Sequence, residues 1–374
     1  MTSNKAITHL AGTFVIQADG AFLNGAGLGQ GDTRNVTVPK TLKDGKVSVP
    51  YVSAQAWRRW LRNTLIEETG WPASELRSID VNERKGSTNK IAGELDPIQF
   101  AEDDLFGYMR AAGKDAVNSD ADDSEEHEGG SDVTTTTKGK AAKVKPLMRS
   151  SPFGTSIMAA IRRDGRISRD EGFVHLKEGT PLPYVTEFYV ANLQAIFCLD
   201  YLRLGVFRNI GDRIELREEL IPTALKDKRL SVHEDFKGKG AIYVMTDGEQ
   251  RQLRAQALLK ALAVLRGGAK QAQFGTDVAP KVIIAAGLSC GNPVFNHLFE
   301  DTSENGLKLK TDVLKEIAHE YHDRIVTPIY IGIRTGLLTN EEEVRALGST
   351  SGEAFTFVVC TPREAVERLG SHLT

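Results

Sequence analysis

Cysteine is scarce in this 374-residue chain: Cys198, Cys290 and Cys360 lie far apart, each in an apolar run and none in a C-x-x-C pair. Neither a disulfide framework nor a thiolate zinc site is indicated, and the three read as small buried hydrophobes. Long apolar runs are missing as well. No stretch approaches the ~18–20 residues needed to cross a bilayer, and the opening residues Met1 to Lys5 lack the apolar stretch of a secretory signal. The expected location is therefore the cytoplasm. Positive charge is not in excess: 47 Lys and Arg against 50 Asp and Glu leave −3, which as a mean argues against a nucleic-acid partner. Catalytic and cofactor motifs are equally thin. The run Gly25-x-Gly27-x-Gly29-x-Gly31 fails the dinucleotide fingerprint because Gln30 and Asp32 break the spacing and no helix opens directly after it. There is no P-loop, and His319-Glu-Tyr-His322 places its histidines three apart rather than four. No cofactor, no metal site and no catalytic residue is expected.

The mean charge hides an uneven distribution. Eight acids and no Lys or Arg lie between Asp115 and Asp132, followed by Lys138, Lys140, Lys143, Lys145 and Arg149. Without an aromatic residue between Lys114 and Lys145, this stretch cannot bury enough apolar area to offset its ordering entropy, so residues 113–145 read as a disordered insertion. Setting the eight acids aside turns −3 into +5, a basic remainder.

Periodicity supplies the elements. Leu10, Gly12, Phe14 and Ile16 alternate as in a strand, a Gly-rich loop from Asp19 to Lys40 follows, and Ser53 stands where it can cap a helix over 54–68. Tyr189, Ala191, Leu193, Ala195, Phe197, Leu199 and Tyr201 fill every odd position of a second strand, 187–201. A charged, Pro-containing stretch over 205–240 has the composition of a long exposed hairpin. A strand at 241–245, a helix over 249–266 closed by Gly267-Gly268 and a strand at 282–286 complete the series. This order fits an α+β chain with an RRM/ferredoxin-like palm carrying two large insertions. The boundaries it gives are 1–66 for the first half of the palm, 67–186 for an insertion, 187–300 for the second half and 301–374 for a C-terminal α/β segment completing the palm.

The helix over 54–68 carries the most chemistry. At 100° per residue Trp57, Trp60, Leu61, Thr64 and Leu65 share one face, while Gln55, Arg58, Arg59 and Arg62 share another. The arginines sit toward its N-terminal half and Glu67 and Glu68 near its end, against the macrodipole. Such a stripe suits an external anion, and guanidinium forks suit phosphate; a solvated helix face is the plain alternative. Arg34 and Lys40 add charge beside the Gly-rich loop, and Gly267-Gly268-Ala269-Lys270-Gln271 repeats the theme weakly.

Asn35-x-x-x-Pro39-Lys40 followed by Val49-Pro-Tyr-Val-Ser53-Ala-Gln-Ala-Trp57-Arg-Arg-Trp-Leu-Arg62 resembles the signature of the repeated backbone subunit of type I CRISPR Cascade complexes, within the DevR autoregulator family of type I-B-like systems and the wider RAMP superfamily. The segments Met148–Ser156 and Ala286–Asn296 are also similar to that family, so the resemblance spans roughly residues 7 to 300. It implies an RRM-like palm with inserted fingers and a β-hairpin thumb, placed by element order at about 205–240. It further implies a non-catalytic protein that binds the crRNA sugar-phosphate backbone without reading sequence, stacks with further copies of itself as a helical filament, and presents the guide for pairing with target DNA. Other Cascade subunits are the implied partners: a 5′-handle-binding subunit, a large subunit and the crRNA-processing endoribonuclease. Carried over residue by residue, Lys40, Ser53, Gln55, Arg58, Arg59 and Arg62 match RNA-contacting positions, with Lys270 and Gln271 a looser match. Arg34 joins the set from its loop position. The alternative is an RNA-cleaving subunit that uses Asp32, as relatives in type III effectors use an acidic loop residue.

Overall fold

The computed structural model describes residues 5–28, 36–74, 77–81, 88–92, 94–110, 146–163, 167–174, 178–180, 182–349 and 355–373. Arg34, Asp32 and the insertion 113–145 lie outside these residues.

The strand at the centre of the palm is His9–Ala21. Its even positions Leu10, Phe14 and Ile16 and its odd positions Ala11 and Val15 are all fully buried, because both faces of the sheet are covered there. It runs antiparallel to two neighbours, Leu182–Asp200 and Val282–Leu288, with Phe14 opposite Ala195 on one side and Ile283 on the other. Two short strands, Phe153–Thr155 and Met158–Ala160, pair antiparallel with the far side of Leu182–Asp200. Helix Ala54–Thr69 precedes those short strands and helix Glu249–Ala263 precedes Val282–Leu288. The result is the ferredoxin-like order, fourth strand beside first, third and second, and the chain is an α+β protein built on it.

Two elements sit differently from the sequence expectation. The long strand is third in the palm, not second, because the true second strand is split into two three-residue pieces, too short to show a period. The strand over 240–245 belongs to another sheet altogether. The palm also grows outward: Ile329–Ile333 and Phe357–Cys360 extend it beyond Val282–Leu288, and Val47–Val52 and Thr41–Asp44 extend it past Met158–Ala160.

One face of this sheet packs against the helices. Phe14, Leu193, Phe197, Trp57, Leu61, Leu258, Leu262, Val366 and Leu369 form a single buried cluster. Gly12 is forced by this packing, since a Cβ there would lie 2.6 Å from the Phe197 ring, 2.7 Å from the Ile284 carbonyl oxygen and 2.8 Å from the Ala285 Cβ. Part of the other face is covered by the C-terminal third, through Phe295, Leu298, Leu314, Ala318, Val344 and Leu347.

The long strand outruns its partner. Pairing with the first strand ends at Tyr189, and residues 182–189 instead form a hairpin with Ile167–Val174, with Phe173 and Tyr184 exposed on it. Val36 and Thr37 pair parallel to it midway along the hairpin, at Val185 and Thr186.

The stretch expected as one long exposed hairpin over 205–240 is a small lobe with its own core. Strands Val206–Ile210, Arg213–Ile214, Leu230–Asp235 and Gly240–Met245 join Leu147–Arg149 and Tyr108–Arg110 in a six-stranded sheet. Phe207, Leu216, Ala224 and Leu230 pack with Ile98 beneath it. The composition misled because the long charged side chains are on the outside, while the apolar residues that fold the lobe are spaced too irregularly to show a period.

A buried charge cluster joins lobe to palm. Asp104, with no exposed surface, accepts hydrogen bonds from Arg149 Nη2, from Arg254 Nη1 at 2.7 Å and from the Gly205 backbone N–H at 3.0 Å. Arg149 also donates to the carbonyl oxygens of Arg203 and Val206, both at 2.9 Å, and Arg254 to those of Pro97 at 2.9 Å and Ile98 at 3.1 Å. Four separate chain segments thus share one carboxylate. Beside it, burial pushes the Asp103 carboxyl up to about 6, although the Asp96 backbone N–H donates to it at 3.1 Å.

Candidate nucleic-acid interface

The loop after the first strand is half β-structure. Gly25–Leu28 pairs with Val36–Pro39, and Gly27 takes φ 97°, which a residue with a Cβ adopts only under strain. Asn24 fastens its base from both sides: its carbonyl oxygen accepts the Lys40 N–H at 2.8 Å and its Oδ1 accepts the Ser53 N–H at 3.0 Å. That staple brings Lys40 alongside the start of helix Ala54–Thr69. Ser53 occupies the N-cap position with extended backbone but makes no side-chain cap bond, contrary to the capping expectation.

Next to this junction lies an open groove of about 710 Å³, whose lining includes Lys40, Lys43, Ser48, Tyr51, Ile167 and Glu187. It holds two ammonium groups, the three hydroxyls of Thr41, Ser48 and Tyr51 and the Tyr51 ring at the root of the hairpin, with Glu187 as the carboxylate among them. Lys43 donates to Ser48 Oγ at 2.7 Å. Lys43, Ser48 and Tyr51 escaped the sequence reading; their signal was proximity to Lys40 and Ser53 across the Asp44-Gly45 turn.

The polar stripe of the helix divides in two. Gln55 and Arg59 are exposed. Arg58 is half-buried and donates to the carbonyl oxygens of Phe106 at 2.8 Å and Phe153 at 3.0 Å, its guanidinium 5.8 Å from the Phe106 ring centre. Burial first, and the charge of Arg62 second, lower its pKa from the ordinary guanidinium value. Arg62 pairs with the nearly buried Glu102 at 3.2 Å and also sits over Phe106, at 5.4 Å. These two side chains hold helix Ala101–Phe106 against the palm. A 100° wheel could not reveal this, because the acidic helix they meet lies some forty residues away. Glu67 and Glu68, which oppose the macrodipole, are instead matched by Arg266 at 3.0 and 2.7 Å.

Lys270 and Gln271 lie in a tight loop. A Cβ on Gly267 would meet the Trp60 ring within 2.2 Å, so the glycine is there for packing. Lys270 is left-handed, φ 52°; its Nζ donates to Thr186 Oγ1 at 2.8 Å and lies 5.1 Å from the Phe22 ring centre. Gln271 donates back to the Gly267 carbonyl oxygen. Lys270 therefore meets the long strand at Thr186 and the groove meets it at Glu187, and successive strand residues project to opposite faces. The structure joins Lys40 to Ser53 and the start of the helix through Asn24, and the loop of Lys270 and Gln271 is bonded to the neighbouring residue, the Ala269 N–H donating to the Leu23 carbonyl oxygen at 2.9 Å.

No family profile matches the chain, and no curated protein matches it. Among solved structures it is similar to a chain described as "CRISPR RNA-guided surveillance complex, pre-nicking", with TM-score 0.51 and 10% identity over 98% of this chain and 100% of that one. A second, described as "CRISPR RNA-guided surveillance complex", has TM-score 0.49 and 9% identity over 97% and 99%. The first carries the likeness, which at this identity is one of fold, and it extends from end to end of both chains.

Proposed function

We propose that this chain is the repeated, non-catalytic backbone subunit of a type I-B-like Cascade, of the DevR family. It grips the crRNA sugar-phosphate backbone without reading sequence, stacks with further copies and presents the guide for pairing with target DNA. The carrying observation is the groove at Lys40, joined to the start of the helix that presents exposed Gln55 and Arg59: ammonium and guanidinium groups, hydroxyls and a half-buried ring are what a phosphate-reading, base-indifferent surface requires. The sequence motifs quoted above and the end-to-end likeness in fold support the same reading. Within it, Lys40, Ser53, Gln55 and Arg59 contact RNA, while Arg58 and Arg62 brace the helix that presents them. The element that reaches a neighbouring copy is the hairpin of residues 167–189 rather than the 205–240 lobe, which spends its apolar residues on its own core. The other Cascade subunits are its further partners, and the cytoplasm is its setting.

The test is RNA retention by a Lys40→Ala/Arg59→Ala variant. Loss of two phosphate contacts should weaken single-strand binding and flatten the slope of log K against log salt by about 1.4. An unchanged slope would remove the groove from the role.

A further inference from the structure

A second cleft lies far from the Lys40 groove, where the small lobe meets helix Glu249–Ala263. It holds about 350 Å³ and is lined by Trp71, Gln99, Lys228, Arg229, Thr246, Asp247, Gln250 and Arg254, with Met245 and Ile98 as apolar wall. Clefts between packed units with a few convergent polar groups are where small ligands bind.

Three features mark it as a built site. Arg254 is 2% exposed yet lines the cleft and the smaller cavity beside it, and its Nε is without a partner although both Nη atoms are engaged. Lys228 holds a left-handed backbone, φ 56°, that side-chain-bearing residues avoid. That conformation is clamped: the Lys228 N–H donates to the Leu225 carbonyl oxygen at 3.1 Å, its own carbonyl oxygen accepts from Thr246 Oγ1, and the Thr246 N–H donates to the Arg229 carbonyl oxygen at 3.1 Å. Strain kept in place by its surroundings gathers at ligand clamps. Finally, the charges suit an anion: with Arg254 already paired to Asp104, Lys228 and Arg229 face one carboxylate, Asp247, which already accepts from the Glu249 N–H and Gln250 Nε2 at 3.1 Å each.

An indole beside two cations that have no ion-pair partner among the described residues, with a carboxylate and two carboxamides within the same cleft, describes a ligand that is flat at one end and anionic at the other, with donors between. We propose that this cleft binds a single nucleotide, its base against Trp71, its phosphate against Lys228 and Arg229, and its hydroxyl or amino donors toward Asp247 and Gln250. The nucleotide is either free or one unit of a single strand. The site is separate from the proposed RNA groove and stands or falls without it.

Calorimetric titration of the full chain separates the cases. UMP or AMP should bind at least tenfold more tightly than inorganic phosphate. Trp71→Ala and Lys228→Asn should each weaken that binding at least fivefold, the Asn keeping the left-handed backbone so that thermal melts stay close to wild type. Lys40→Ala/Arg59→Ala should leave it unchanged. In that groove-deficient background, a pentanucleotide binding tenfold tighter than UMP, with the gain lost in Trp71→Ala, assigns the site to a strand; equal affinity assigns it to free nucleotide. Phosphate binding as tightly as UMP and AMP, or Trp71→Ala retaining full affinity, would overturn the proposal.

Discussion

Replacing Asp104 by Asn is the sharpest probe of how lobe and palm are joined. The carboxylate has no exposed surface and accepts from two arginines, themselves 1% and 2% exposed, and from the Gly205 N–H. Asparagine keeps one acceptor oxygen but presents an amide N–H₂ where an arginine stood, and it leaves two buried guanidinium charges with one counter-ion fewer. Breaking a buried pair by removing one partner costs roughly 3–5 kcal/mol. Arg149 retains Glu215 at 3.4 Å and three carbonyl contacts, so the middle of that range, about 4 kcal/mol, is the expectation. For a chain of this length melting as one unit, about 2.1 cal/mol/K per residue converts this to a Tm drop of about 5 °C. Thermal melting followed by far-ultraviolet dichroism reads it directly. A drop below about 1 °C would refute the assignment of Asp104 as the shared counter-ion.

The remaining predictions concern burial, space and the divided stripe. The Asp103 carboxyl, raised from 3.8 to about 6 by burial, favours its neutral form in the fold, so its contribution is complete below about pH 4 and is lost as pH rises through 6. Asp103→Asn should therefore gain on wild type by about 3 kcal/mol between pH 4 and pH 7 in urea titrations; parallel stability-against-pH curves would sink the idea. Gly12→Ala should cost about 1–3 kcal/mol, because the Ile284 carbonyl oxygen and the Ala285 Cβ belong to a central strand that cannot retreat, and an unchanged urea midpoint would contradict the packing argument. Arg58→Ala should lower Tm by several degrees while Arg59→Ala leaves Tm within a degree and weakens RNA retention; the reverse pattern would return Arg58 to the RNA surface.

Legibility in the sequence followed the range of the interactions. The first and third palm strands and the arginine helix are long and periodic, and their inward residues, Leu10, Phe14, Trp57, Leu61, Leu193 and Phe197, were readable from spacing alone. The second palm strand was not, because two three-residue pieces carry no period. The site was half legible for a related reason. Lys40, Gln55 and Arg59 stand out from the local pattern, but the commitment of Arg58 and Arg62 is settled by Glu102 and Phe106, which only the fold brings near. Glu102 and Asp104 are buried because their partners come from residues 62, 149 and 254, which local spacing does not bring near. The lobe at 205–240 was misjudged because composition reports average exposure and says nothing of four apolar residues, spread over 207–230, that close on the distant Ile98.

Leu182–Asp200 is one unbroken run of nineteen residues, about 60 Å at the ~3.3 Å rise of a strand. Its first part forms the hairpin and its last part is the third strand of the palm, locked between His9–Ala21 and the short strands at 153–160. No turn or helix separates the two halves to act as a pivot. A push on Tyr184 is thus delivered along a stiff backbone to the ladder that ends at Asp200. Were one copy's hairpin seated against the next, load would pass down a stack through palm sheets in series, like force along a braced rod, and the stack's bending stiffness would be set by these sheets more than by the surfaces between copies.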